Sequence, residues 1–340
     1  MNLSDLQSAV KDLALVPEGR PPKEYPDVVP NRVAHIDADF LAYMASAEPL
    51  PLKTKMKDMT PEEVVVYIQS FEEKRIPLEQ VLYKADVMIE DKMRECGASM
   101  AVLHLTPKGS TKGGRYDSAI QKEYQAKREG EKPRHLEAVR EHMASKTGRI
   151  QGKSWDNAEA DDGMAEAAWK AFDNGKSEQV VVATKDKDLR MVPGLHLDWD
   201  TGIIEGADDA FGFIEILTKT SKAGKKSKKL VGYGTKFFWA QMLMGDTVDN
   251  ITGVPRATIN GKLKACGLVG AYDLLQDAAD DRDCFKIVTD AYKENEYCHW
   301  QTGADATWAD VFWSEAQMLW MQRTPGKVWD VKNWIREITR

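Results

Sequence analysis

Two short apolar runs, each cut off by a pair of aspartates, constrain this chain more than any other feature. Val33-Ala34-His35-Ile36 runs into Asp37-Ala38-Asp39, and Val180-Val181-Val182-Ala183-Thr184 runs into Lys185-Asp186-Lys187-Asp188. A β-branched run without polar alternation reads as a strand covered on both faces, the pattern of a parallel sheet. Met100–Leu105 is a third buried run. Helical patterns lie between them. Thr60-Pro61-Glu62-Glu63 is a capping box with proline at the first helical position. A second helix spans about Leu78 to Cys96 and stops at Gly97. A third, capped at Asp156 or Asn157, runs through Met164, Ala168 and Phe172 to Asn174-Gly175. Strand, helix and strand alternate across 33–200, which predicts an α/β fold with a mostly parallel central sheet flanked by helices. From Phe237 onward the pattern is helical.

In open parallel sheets, ligands bind outside the carboxyl ends of the strands. Asp37 with Asp39, and Asp186 with Asp188, are therefore aimed at one crevice. Two further clusters join them: Glu159, Asp161 and Asp162 open a helix, and Asp246 with Asp249 follow the end of one at Gly245. Carboxylates this close raise one another's pKa, and a hard divalent cation relieves the repulsion. Oxygen-only ligation, with no nearby His or Cys, selects Mg²⁺ or Mn²⁺ over zinc. Two such ions roughly 4 Å apart suit in-line attack of water on a phosphodiester. Taken singly, each pair is as readily a turn or a helix cap. The metal reading rests on all four together.

The net charge of −7 argues at first against a polyanionic partner, but the charges are segregated. Lys108 to Lys153 holds twelve Lys/Arg against six Asp/Glu, and Lys219 to Lys236 holds seven lysines and no acid. The first of these stretches reads as exposed helices or a flexible arch. The run from Lys219 to Lys229, interrupted by Gly224, reads as a mobile loop that cannot pack. Cys96, Cys266, Cys284 and Cys298 form no CxxC pair, which argues against a zinc site or disulfide framework and fits a reducing cytoplasm. No apolar run approaches a membrane span, and no secretory signal is visible. Residues 1–31, with Leu3, Leu6, Val10 and Leu13 before a proline-rich run, read as an appendage. Residues 32–210 then form the α/β core, with an arch-like segment at 107–155, and 211–340 form a helical region. The C-terminal tryptophans (Trp300, Trp308, Trp313, Trp320, Trp329, Trp334) read as packing between helices.

In their order, these residues resemble the flap-endonuclease superfamily, and within it the bacteriophage 5′→3′ exonucleases of the T7 type. The matches are His35-Ile36-Asp37-Ala38-Asp39, Glu159-Ala160-Asp161-Asp162, Thr184-Lys185-Asp186-Lys187-Asp188, and the run from Gln241 through Gly245-Asp246-Thr247-Val248-Asp249-Asn250-Ile251 to Gly253-Val254-Pro255. The last is the most specific, and the resemblance covers roughly 32–330.

The resemblance implies a PIN/FEN-like nuclease fold whose helical C-terminal region carries a helix-turn-helix over 237–275. It implies that Asp37, Glu159, Asp161 and Asp162 serve one Mg²⁺ and Asp186, Asp188, Asp246 and Asp249 a second, with Mn²⁺ able to substitute. The family's acid after the third apolar run is absent, since Leu105-Thr106-Pro107-Lys108 stands there. Arg115, Tyr124, Lys127 and Arg128 resemble an element that contacts the substrate phosphate and the adjoining base, with Gln125 where a lysine is usual. Gly253, Arg256, Thr258 and Lys262 would grip the duplex backbone, around a K⁺ ion, although Arg256-Ala257-Thr258 replaces the family's Gly-x-Gly. Apart from the resemblance, the lysine run reads either as a loop beside the duplex, the reading favoured by the nearby Gly232-Tyr233-Gly234 and Gly-Asp motif, or as a solubilising loop. The implied activity is exonucleolytic hydrolysis of duplex DNA from 5′ ends, with flap cleavage and RNase H-type removal of RNA primers. The setting would be phage replication and host DNA breakdown in the infected bacterial cytoplasm, among replication proteins. The rivals are a flap endonuclease, a PIN-type ribonuclease, which lacks the Asp246–Pro255 run, and a catalytically silent DNA-binding relative.

Overall fold

A computed structural model describes residues 24–48, 53–72, 74–126, 132–207, 209–220, 224, 226–327 and 330–340. Its centre is a six-stranded sheet of β1 (Val33–Asp37), β2 (Met100–Leu105), β3 (Ile150–Ser154), β4 (Val180–Ala183), β5 (Gly194–Leu197) and β6 (Ile204–Ala207). The spatial order is β3-β2-β1-β4-β5-β6. The first five strands are mutually parallel, and β6 closes the edge antiparallel to β5. The mostly parallel α/β sheet is thus as the sequence predicts. Strands β3, β5 and β6 are short, and β3 (Ile-Gln-Gly-Lys-Ser) has no apolar run to announce it.

The two faces of β1 separate the layers. Ala34 and Ile36 are fully buried with Ala101, Leu103, Val181 and Ala183, under α1 (Ala38–Ser46), α3 (Leu78–Glu95) and α4 (Leu136–Ala144). Helix α2 (Pro61–Glu72) precedes α3 and starts at the Thr60 capping box, where Glu63 N donates to Thr60 Oγ1 and Thr60 N to Glu63 Oε2. The arch reading is corrected in part: α4 lies within 107–155, yet Leu136, Val139 and Met143 are buried core.

On the other face Val182 packs with Met164, Ala165 and Ala168 of α5 (Ala160–Asp173). The same apolar cluster continues into α6 (Thr235–Met244), α7 (Leu268–Leu275), α8 (Asp281–Lys293), α9 (Trp308–Leu319) and α10 (Asp330–Ile338). One core therefore joins the sheet to the helical region. Trp320 and Trp334 stack within it at 4.4 Å, as expected of packing residues, whereas Trp300 and Trp308 are exposed. Trp329 and the Leu3–Leu13 stretch lie outside the described residues.

Two expectations change. Residues 219–220 and 226–229 are strand rather than loop: β7 (Phe213–Thr220) and β8 (Lys226–Tyr233) pair antiparallel along their whole length. Between α6 and α7 there is a β-hairpin, β9 (Arg256–Ile259) with β10 (Lys262–Ala265), rather than a helix-turn-helix. Its turn is Asn260-Gly261, both with positive φ (54° and 72°), the left-handed pair that closes a two-residue hairpin. No described helix is long and apolar enough to cross a membrane.

Candidate metal and nucleic-acid site

At the carboxyl end of the sheet lies an open cleft of about 770 Å³. Six of the eight predicted acids line it: Asp37, Glu159, Asp161, Asp186, Asp188 and Asp249. Each is placed by a local device. Asp37 ends β1 and caps α1, accepting from Phe40 N at 2.9 Å. Its other oxygen accepts from Thr184 Oγ1 at 2.9 Å, and that hydroxyl accepts from Asp186 N at 3.0 Å. One threonine therefore ties the ends of β1 and β4 together. Asp188 N donates to Asp186 Oδ1, and the buried Gln241 of α6 donates to Asp188. Gly245 ends α6 with φ +69°, where a Cβ would lie 2.5 Å from Ile251 O. Asp246 and Ile251 then bond to each other through both backbone pairs. This closed loop returns Asp249 to the cleft, where its carboxylate accepts from Tyr124 OH.

The remaining two acids do not line the cleft. Asp162 is fully buried with both oxygens saturated: it accepts from Arg115 Nη1 and Nη2 (2.8 and 2.7 Å), from Gln322 N and from Glu159 N. It has no lone pair left for a metal, which corrects the expectation for Asp162. Asp246, 2% exposed, accepts from Val248 N and pairs with Lys187 Nζ at 2.7 Å. It lies close enough to Asp186 to raise that group's pKa.

Burial dominates the electrostatics. It pushes Asp37 up to about 7, helped by Asp39 and Asp186. Asp161 is raised by burial and by Asp186, Asp37 and Glu159; Asp186 is raised by burial and by Asp249 and Asp246, and Asp188 by burial and by Asp186, Asp246 and Asp249. Among the described residues no three His, Cys, Asp or Glu side chains form a ready-made ion cage. The donor chemistry nonetheless fits a hard cation. No His or Cys lines the cleft, and Asp161 has no hydrogen-bond or ion-pair partner among the described residues.

No acid of its own follows β2. Asp39 reaches that strand end from α1, accepting from Thr106 N at 2.9 Å and pairing with Arg140 at 2.9 Å.

The basic residues rearrange most. Arg115, expected to touch substrate, is fully buried, with all its N–H groups held by Asp162 and by the carbonyls of Lys112, Met318 and Trp320. Glu159 lies 3.1 Å from it. Tyr124 is 3% exposed, so it cannot stack on a base; its hydroxyl bridges Glu159 and Asp249. Lys127 and Arg128 lie outside the described residues. The cleft's cationic wall is Lys108, Lys112, Lys132 and Arg140, with the exposed ring of Tyr116, none of which the sequence motifs singled out. One signal was available: Lys112 stands before Gly113-Gly114, and all three have positive φ. The left-handed Lys112 delivers its ammonium to Gln125 Oε1 (2.6 Å) and Glu159 (3.4 Å), and Gln125 is left-handed too. Strain of this kind collects at functional sites.

Arg256, Thr258 and Lys262 are exposed on the β9–β10 hairpin, while Gly253 lies beneath it. Gly253 N donates to the buried Glu315 and its carbonyl accepts from Gln121; Thr258 N donates to Glu294, and Arg256 O accepts from Asn295. Of these groups only the carbonyls of Gly253 and Arg256 could ligate a cation, and each accepts one side-chain hydrogen bond.

No family model matches the sequence, and no curated protein does. Solved structures do. One is a bacteriophage T5 protein co-crystallised with metal ions (13% identity, 85% of this chain and 86% of that one, TM-score 0.43). A second is a mutant of the T5 5′-exonuclease (12% identity, 85% of each chain, TM-score 0.42). A third is the T5 flap endonuclease in a pseudo-enzyme–product complex with DNA and metal ions (12% identity, 85% and 89%, TM-score 0.48).

Proposed function

We propose that this chain is a Mg²⁺-dependent nuclease that hydrolyses phosphodiesters of duplex DNA from 5′ ends. The observation that carries this reading is the cleft itself: six carboxylates from strand ends, a helix start and a closed loop face a wall of four cations across one hollow. The acids suit hard divalent ions, and the cations suit the phosphates flanking a scissile bond.

Asp37, Asp161, Asp186, Asp188 and Asp249 would hold the ions, with Glu159 divided between them and Lys112. When bound, such ions activate water and neutralise charge on the reacting phosphate. The chain's own groups do the rest. Lys108, Lys112, Lys132 and Arg140 draw in and orient the backbone, and Tyr116 offers a face to an unpaired base at a frayed end. The cleft hydroxyls are committed elsewhere: Ser110 Oγ donates to Ala158 O and Thr106 Oγ1 accepts from Ala160 N. Water, rather than a side chain, is therefore the nucleophile. The unpartnered Asp161 speaks against a silent DNA-binding relative.

A 5′-labelled duplex incubated with Mg²⁺, with Mn²⁺ or with EDTA tests the reading. Short 5′ products that depend on the metal are expected, and full activity in excess EDTA refutes it. Blunt, nicked, flap and RNA–DNA hybrid substrates in parallel separate exonuclease from flap endonuclease and RNase H-type action.

A further inference from the structure

The lysine-rich hairpin is not needed by the cleft chemistry, yet it is built as a fixed arm. Its basal half is anchored: Ile214 and Leu230 are buried in the core shared with α6 and α7. Beyond Leu217 the paired strands continue for three residues, about 10 Å at the usual rise. There Thr218 and Thr220 face Lys228 and Lys226 across the ladder. Lys226 and Lys228 are exposed and have no acidic partner among the described residues. A merely solvated face mixes both signs, whereas Lys219 to Lys236 holds lysines alone in a chain of net charge −7.

Position adds to composition. A groove of about 620 Å³ is lined both by Asp186 of the carboxylate cluster and by Phe213, Leu217 and Lys229 of the arm, so the arm stands next to the cleft. Helix α7 packs against both strands of the arm and against β9. The β9–β10 hairpin carries Arg256, Lys262 and Lys264, all exposed. Two basic hairpins are thus braced on one helix.

We propose that the β7–β8 arm is a second grip on nucleic acid, which holds the phosphate backbone of a duplex beyond the reach of the cleft and so makes binding depend on duplex length. This rests on the nuclease reading for its partner but not for its test. Binding is measured in EDTA, with a duplex of about ten base pairs, one helical turn, and one of about forty. The wild-type chain is expected to bind the longer duplex more tightly per end. Lys226→Gln/Lys228→Gln should bind the short duplex as the wild type does. On the long one it should lose the advantage, with a log–log salt slope shallower by about 1.8, close to 0.9 per phosphate contact removed. Lys226→Arg/Lys228→Arg should retain the wild-type slope, which separates charge from damage to the fold. An unchanged slope in the Gln variant, or a wild-type chain indifferent to length, overturns the arm. A chain that shows the length effect but never cleaves overturns the nuclease reading and leaves the arm standing.

Discussion

Arg115 and Asp162 form a fully buried bidentate ion pair, Nη1 to Oδ2 at 2.8 Å and Nη2 to Oδ1 at 2.7 Å. The pair stitches three stretches together: the turn at Lys112–Gly114, the start of α5, and the segment Met318–Gln322 at the end of α9. Removing one partner of such a pair strands a charge, at a cost of about 3–5 kcal/mol. Arg115→Met should therefore lose stability on that scale in chemical denaturation. Arg115→Met/Asp162→Leu should recover part of it. A wild-type midpoint in the single variant would contradict the buried pair.

Asp161 and Asp162 are neighbours in sequence with opposite surroundings, which makes them a sharp test of the site. Asp161→Asn should cut turnover by at least about a hundredfold, the scale on which a catalytic group acts. Its midpoint should stay near wild type and DNA binding in EDTA should persist. Asp162→Asn should instead unfold early. If both variants lose turnover equally at full stability, the division of roles is wrong.

Tyr116 and Tyr124 sit edge to face at 5.5 Å, but only Tyr116 is exposed. Stacking on an unpaired base is worth roughly 1–3 kcal/mol. Tyr116→Ala should weaken binding of frayed or flapped ends by that amount and leave fully paired duplex little changed. Tyr124→Phe, which removes the hydroxyl between Glu159 and Asp249, should affect turnover more than affinity. Equal affinity of the Tyr116 variant for both substrates would count against stacking.

Glu315 supplies a pH prediction. Burial pushes its carboxyl up to about 7, although Tyr292, Gly253 and Gln121 all donate to it. Between the model-compound value of 4.5 and about 7 the folded chain keeps a proton that the unfolded chain releases, so this group's contribution falls as pH rises through that window. The loss is of order 3 kcal/mol, at about 1.4 kcal/mol per unit. Glu315→Gln should flatten the stability profile between those pH values relative to wild type. Parallel profiles would show that Glu315 is ionised without penalty.

By itself, the sequence was enough to put Asp37 and Asp186 at strand ends on one side of the sheet. A β-branched run that stops at Asp37 or Asp186 must end where its covered strand leaves the sheet, and parallel neighbours bring those ends to one side. The lengths of α3 and β2 were readable for the same reason, since apolar periodicity and local caps are short-range; α5 starts later than the sequence suggests, capped by Glu159 with Asp162 rather than by Asp156 or Asn157. Other features depended on partners far along the chain. Asp162 is taken from the metal set by Arg115 and by backbone from Trp320 onward, and no local pattern marks that. Tyr124 and Arg115 carry the motif yet are buried, while Lys112 and Arg140, without a motif, face the hollow. The arm hid because lysines on its distal strands masked the alternation that anchors its base. Spacing tells which side chains share an end of the sheet, but only long-range packing decides which of them keep a free lone pair or an unpaired charge.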